Sequence, residues 1–265
     1  MLSNEYAVPW KDLLRHPYAR MHFVQLYEPD ASSLASNVTY FASEGLKRGD
    51  GVLTVATPEH QRAFCAGLSG KWPQNQLVLR DAHATLARLT KDGQPDWHGF
   101  AQVVGNAIAS VRPSNEAGGI RVYSEMAGIL WKAHQFAAAV HLEHFWNKLM
   151  ARSPFSLFCG YSMDVFHPDL HNENLDDVLC AHSHLVPSAP NGILKSALWR
   201  AMDEVLGEKS HEIRNLSLAG GHASWVVVPE EEAMVLWLTK HLPDQVQKVV
   251  KRARHHYEKL AAVAA

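Results

Sequence analysis

A chain of 265 residues with 25 Lys and Arg against 27 Asp and Glu has a formal net charge of −2 when histidine is neutral. That balance removes the electrostatic drive on which nucleic-acid-coating proteins and polybasic membrane binders depend. With 47% hydrophobic and 20% charged residues, the chain can bury a sizeable core, which excludes a disordered or fibrous protein.

Seventeen histidines stand out, because they add positive charge as pH falls through about 6.5. Association with partners is expected to change in that range. Cys65, Cys159 and Cys180 are far apart and lack CxxC spacing. They predict neither a disulfide framework nor a zinc ribbon, and read as buried small hydrophobes in a reducing compartment. Glu5, Lys11, Asp12 and Arg15 fall where a signal peptide needs an apolar core. No apolar run approaches the roughly 20 residues of a membrane span. The expectation is a cytoplasmic protein without membrane association.

Residues 22–27 (HFVQLY) predict a first strand, closed by the turn formers Glu28, Pro29 and Asp30. Residues 31–46 are helical by pattern, with Leu34, Val38, Phe41 and Ala42 on one face and with Gly45 and Gly49 as the exit. Residues 51–57 (GVLTVAT) are apolar on both faces, as in a central parallel strand, and Pro58 opens the next helix. A short strand at 76–80, a helix at 82–89, a loop with Asp92, Gly93 and Pro95, and an amphipathic helix at 96–111 follow. A strand at 119–123 leads into Ser124, Glu125 and Met126, then come a long helix at 133–150 and a strand at 155–161. Five strands with intervening helices predict an α/β fold with a mainly parallel sheet.

The texture turns polar after Phe166, and residues 177–192, with Pro187 and Pro190, read as a connector. Residues 193–265 read as a mostly helical C-terminal region: a helix at 193–206, a weaker strand at 223–228, and helices starting at Pro229 and Pro243. The last is basic in its middle, with Val249, Ala253, Tyr257 and Leu260 along one face. That pattern fits a docked amphipathic helix, and contact with DNA or another anionic partner is the less favoured reading, since no helix-turn-helix pattern accompanies it. The apolar face of 234–242 (MVLWLTKHL) is a candidate for homo-oligomerisation.

Strand, loop, helix and strand over 24–57 follow in order the opening of a RecA-like nucleotide-binding core. There the loop after the first strand must be a glycine-rich cradle ending in Lys and Ser or Thr. Here it reads YEPDASSLASN, without glycine or lysine, and Glu28 and Asp30 would repel a phosphate. A Walker A loop is absent, and ATP hydrolysis is not expected. No GxSxG elbow or other catalytic motif appears, so no catalytic residue and no cofactor is assigned.

The segments HFVQLYEPDASSLASNVTYFASEGLKRGDGVLTVATPEH, RVYSEMAGILW, AAVHLEHFWNKL and FSLFCGYSMDVF, in this order, resemble the MEDS domain. That sensory domain is named from methanogens, methylotrophs and the DcmR-type regulator, and is similar to a RecA or circadian-clock-type ATPase without its Walker loop. The resemblance covers 18–176 and leaves 1–17 as an N-terminal extension. It implies a three-layer RecA-like α/β fold. It also implies a sensing module in signal transduction or transcription regulation, found alone, beside DNA-binding helices or on histidine kinases. The matching positions are His22, Tyr27, Glu44, Gly45, Leu46, His60, Glu125, Met126, Trp131, Leu142, Glu143, Trp146, Asn147 and Tyr161.

In an open parallel sheet, ligands bind at the carboxyl edge of the strands. Tyr27 and Glu28, Thr57 and His60, Ser124 and Glu125, and Tyr161 fall at such ends. Tyr27, Glu28, His60, Glu125 and Tyr161 at these ends, together with His22, Trp131 and Glu143 from the positions that the resemblance implies, are the candidate contacts for a small molecule or a signalling partner protein. Glu125 stands where an active RecA-like ATPase holds its metal with a carboxylate, so a ligand anchor and an internal hydrogen-bonding partner are both open for it. His134, His141 and His144 on the long helix are the alternative, a metal-binding or enzymatic cluster, although HLEH is neither HExxH nor HxxEH. A nucleotide bound without hydrolysis is a third reading.

Overall fold

A computed structural model describes residues 10–27, 32–73, 75–167, 170, 172–187, 192–219 and 226–264. In chain order its elements begin with α1 (Trp10–Arg15), β1 (His22–Leu26), α2 (Ser32–Arg48), β2 (Gly51–Ala56), α3 (Pro58–Gly67), β3 (Leu77–Asp81) and α4 (Ala82–Leu89). A two-residue hairpin, β4 (Thr90–Lys91) and β5 (Gln94–Pro95), precedes α5 (Trp97–Ser110), β6 (Ile120–Ser124), α6 (Met126–Lys132), α7 (Phe136–Arg152) and β7 (Ser156–Tyr161). Then come α8 (Leu175–Ala181), β8 (His184–Val186), α9 (Ile193–Leu206), α10 (Ser210–Ala219), α11 (Glu230–His241) and α12 (Pro243–Ala264). The chain divides into two compact units, residues 1–24 with 34–161 and residues 25–33 with 162–265.

In the first unit the sheet runs in the order β3-β2-β6-β7-β1. The pairings of β2 with β3, β2 with β6 and β6 with β7 are all parallel. Alternation along the strands sorts the side chains between two helical layers. Phe23, Arg121, Tyr123 and Phe158 face α2 and α3, where Phe41 stands 5.7 Å from Phe158 and Phe64 stands 5.1 Å from Tyr123, both edge-on. His22, Cys159 and Tyr161 face the other way, toward α7. On that side Trp146 packs edge-on against Phe100 of α5 at 5.0 Å. Helix, sheet and helix make three layers, the architecture expected from the strand–helix rhythm.

Helix starts follow local chemistry. Thr57 caps α3 and Pro58 fills its first turn, while Asp81 and Asp96 cap α4 and α5 through their carboxylates. Two sequence expectations change. Gly45 is not the exit of α2, which continues to Arg48 and closes at Gly49 with φ of 91°. Instead, a Cβ at Gly45 would lie 2.5 Å from Arg121 Nε, so its bare backbone makes room for a guanidinium.

The long helix also begins later than predicted. The His134 N–H donates to Trp131 O and the Gln135 N–H to Leu130 O, while His134 takes φ of 56°. This is a Schellman closure of α6 with histidine in the left-handed position that glycine usually holds. It separates α6 from α7. Gly128 of α6 presses against β7, since a Cβ there would meet Gly160 O at 2.2 Å.

In the strand order β8 is the neighbour of β1. The stretch predicted as a connector thus holds the end of α8 and β8. Leu185 N–H donates to Val227 O at 2.8 Å, and residues 223–225 of the weaker predicted strand lie outside the described residues. Val249 and Ala253 of α12 are buried, as a docked amphipathic helix requires, while Lys248, Lys251 and Arg252 rim a groove of about 740 Å³ with Glu204 and His255. Met234, Val235, Leu236 and Leu238, within the 234–242 stretch considered for homo-oligomerisation, are buried within the chain. Cys65 and Cys180 are exposed, contrary to expectation, and only Cys159 is buried.

Burial lowers the pKa of His184 from its ordinary 6.5. The unfolded chain therefore takes up the proton first, and stability is lost as pH falls below about 6.5. Comparing urea midpoints at about pH 7.5 and about pH 5.5, we expect a smaller loss in His184→Gln than in wild type.

Candidate functional site

Two polar networks occupy opposite faces of the first unit. The first gathers where β2 and β6 end. Glu125, 3% exposed, follows the last residue of β6, and its N–H donates to Val55 O at 3.2 Å. Its Oε1 accepts the Thr57 N–H, and its Oε2 pairs with His60 Nδ1 and accepts the Tyr123 hydroxyl at 3.3 Å. Thr57 Oγ1 accepts the His60 N–H at 3.4 Å. A carboxylate is thus placed at the positive end of α3, where exposed N–H groups favour negative charge. His60, half-buried, stacks on Phe64 at 5.8 Å and connects the network to the aromatic core.

The network predicts a stability effect. Glu125→Ala strips the Thr57 N–H and the His60 ring of their acceptor and should cost about 1–3 kcal/mol. Glu125→Gln keeps an acceptor and should cost less, as urea midpoints would show.

The second network lies between the sheet and α7. Glu143, 0% exposed, accepts the Tyr161 hydroxyl at 2.6 Å on Oε1, and its Oε2 stands 3.3 Å from His22 Nε2. Cys159 Sγ is 3.6 Å from the same Oε2, and His22 Nδ1 is 3.0 Å from Asn147 Oδ1. Burial, reinforced by the neighbouring Glu143 charge, pushes the Cys159 thiol and the Tyr161 hydroxyl well above their ordinary pKa values. Both stay protonated at neutral pH unless something displaces the proton.

The predicted residues therefore divide. His60 and Glu125 meet in the first network, and His22, Glu143 and Tyr161 meet in the second. Trp131, 1% exposed, packs edge-on to Tyr161 at 5.8 Å and to Phe136 at 4.7 Å. Its indole Nε1 has no hydrogen-bond partner among the described residues. Tyr27 is buried in the second unit, and Glu28 lies outside the described residues, as do residues 29–31 of the loop considered for a nucleotide. His134 sits in the turn before α7, and His141 and His144 are exposed on the helix.

Sequence reasoning missed Cys159 and Arg121. Cys159 shares the α7-facing side with Tyr161 two residues on, so alternation in SLFCGY was the available signal. Arg121 breaks the apolar run IRVY, and such a charge inside a central strand demands a buried partner. Asp50, in EGLKRGD, provides it at 2.7 Å.

Residues 21–183, well over half of the chain, match the family described as MEDS, the methanogen/methylotroph, DcmR sensory domain. The chain belongs to the MEDS family. Its role is accordingly sensory, and both polar networks lie within the MEDS region. The MEDS match extends past β7 through α8, beyond the predicted limit at 176. No curated protein and no solved structure matches the chain. No helix among the described residues is long and apolar enough to cross a membrane.

Proposed function

We propose that this MEDS protein senses a small ligand at the carboxyl edge of its parallel sheet, in signal-dependent regulation. The observation that carries the reading is the indole N–H of Trp131, buried without an acceptor among the described residues just beyond the end of β6. An unpaired buried donor costs about 1–3 kcal/mol, which a ligand bringing an acceptor would relieve. The burial of Trp131, Glu125 and Tyr161 suits a small molecule better than a protein surface, because a docking partner reaches exposed side chains.

Glu125 gives such a ligand a mechanical consequence. It binds the first turn of α3 and stands directly before α6, so a ligand that draws on its carboxylate shifts the start of one helix relative to the other. The family membership supports the sensory part of this reading.

A thermal-shift screen of nucleotides and small organic compounds, run with EDTA so that metal effects are removed, tests the reading. At least one class should raise the melting temperature, and Trp131→Phe, which keeps the ring and removes the N–H, should reduce that shift. A screen in which no class shifts the wild type, or in which Trp131→Phe shifts equally, overturns it.

A further inference from the structure

We propose that His22, Glu143 and Cys159 bind a divalent transition-metal ion of the zinc type on the α7 side of the sheet. This goes beyond the sensing of a ligand at the strand ends, and neither reading requires the other. Three atoms converge there. His22 Nε2 lies 3.3 Å from Glu143 Oε2 and 3.4 Å from Cys159 Sγ, and Sγ lies 3.6 Å from Oε2. Zinc bonds tetrahedrally at about 2.0 Å to nitrogen and oxygen and about 2.3 Å to sulfur. Such an ion spaces its ligand atoms about 3.3 Å apart for N···O and about 3.5 Å apart for N···S and S···O. The triangle has the size and shape of one face of that tetrahedron. The His22–Glu143 separation, by contrast, is long for a charge-assisted hydrogen bond, which closes to about 2.7–2.9 Å.

The remaining heteroatoms are held from behind. Asn147 Oδ1 is an acceptor 3.0 Å from His22 Nδ1, so Nδ1 carries the proton and Nε2 presents its lone pair to the centre. The Tyr161 hydroxyl holds Glu143 Oε1 at 2.6 Å and leaves Oε2 to the other two ligands. Metal ligands are commonly oriented by such outer bonds.

Charge supports the same assignment. Glu143, His22 and Cys159 are 0%, 2% and 1% exposed, and a carboxylate and a thiolate together neutralise a dication in that dry space. On binding, the sulfur–hydrogen bond gives way to a sulfur–metal bond and the proton leaves to solvent, with no change in oxidation state. Thiolate and imidazole favour zinc-type ions over magnesium or calcium. A fourth ligand completes the tetrahedron.

Because the site is buried, the full chain is unfolded in urea, refolded with cobalt(II), desalted and analysed. About one equivalent of cobalt should be retained, with the intense visible absorption of a tetrahedral thiolate-bound ion. Cys159→Ser should abolish the sulfur-to-cobalt band. Asn147→Ala, which leaves the three ligands in place, should weaken affinity about 10–100-fold with an unchanged far-UV circular dichroism spectrum. Refolded wild type without the bands, bands that persist in Cys159→Ser, or unchanged affinity in Asn147→Ala overturns the proposal. Should refolding fail, the zinc content of chain purified from zinc-supplemented cells decides: about one equivalent supports the site and none overturns it.

Discussion

Arg121→Leu is expected to lose about 3–5 kcal/mol of folding stability, a large part of the roughly 5–15 kcal/mol that holds a native protein together. Arg121 is 1% exposed in β6, and each of its guanidinium nitrogens is used. Nε donates to Asp50 Oδ2 at 2.7 Å, one terminal nitrogen to the Leu14 and Phe41 carbonyls at 2.8 and 2.9 Å, and the other to the Arg15 carbonyl at 2.9 Å. The Phe41 ring lies 5.2 Å from the guanidinium carbon. Burial lowers the Arg121 pKa and Asp50 opposes that shift, yet a guanidinium stays charged at any ordinary pH. Removing the cation leaves Asp50 buried with only the Gly119 N–H, 2.8 Å away, among these donors. The double variant Arg121→Leu with Asp50→Leu should therefore recover part of the loss, because an apolar pair replaces an orphaned charge. Urea midpoints with an unchanged denaturant slope would establish this. A double variant less stable than Arg121→Leu would contradict it.

Trp146→Ala is the second large effect, at about 3–5 kcal/mol. The side chain is 0% exposed on α7 and packs edge-on to Phe100 at 5.0 Å and to Phe155 at 6.1 Å. Alanine removes the burial and leaves a cavity between α5, α7 and the sheet that close-packed neighbours fill only in part. Trp146→Phe keeps one ring and should cost clearly less. Chemical denaturation of the two variants side by side tests the order.

The layer architecture was legible because its signals are local. Short runs rich in β-branched or aromatic residues mark β1, β2, β6 and β7. The residues before helices, such as Thr57 with Pro58 behind it, choose their own helix starts. What stayed hidden depends on partners far away in sequence. Gly45 reads as a stop until Arg121 is known to pass beside it. Cys159 reads as an inert core residue until β1 and α7 bring His22 and Glu143 to its sulfur.

The break between α6 and α7 was missed because the left-handed position carries His134, and no glycine advertises the turn. β8 is three residues long, too short for alternation to reveal against the prolines that follow it. His22, His60, Glu125, Glu143 and Tyr161 stand out in the sequence, but their division between two polar networks is a matter of strand parity and packing that no motif states.

Amide hydrogen exchange tests most directly whether a signal is read where β2 and β6 end. Exchange is compared with and without the compound that raises the melting temperature. Slower exchange is expected at residues 57–61 and 125–135 in the wild type, and a clearly smaller change in Glu125→Gln. Protection confined to residues 193–264, or equal protection in Glu125→Gln, would contradict it.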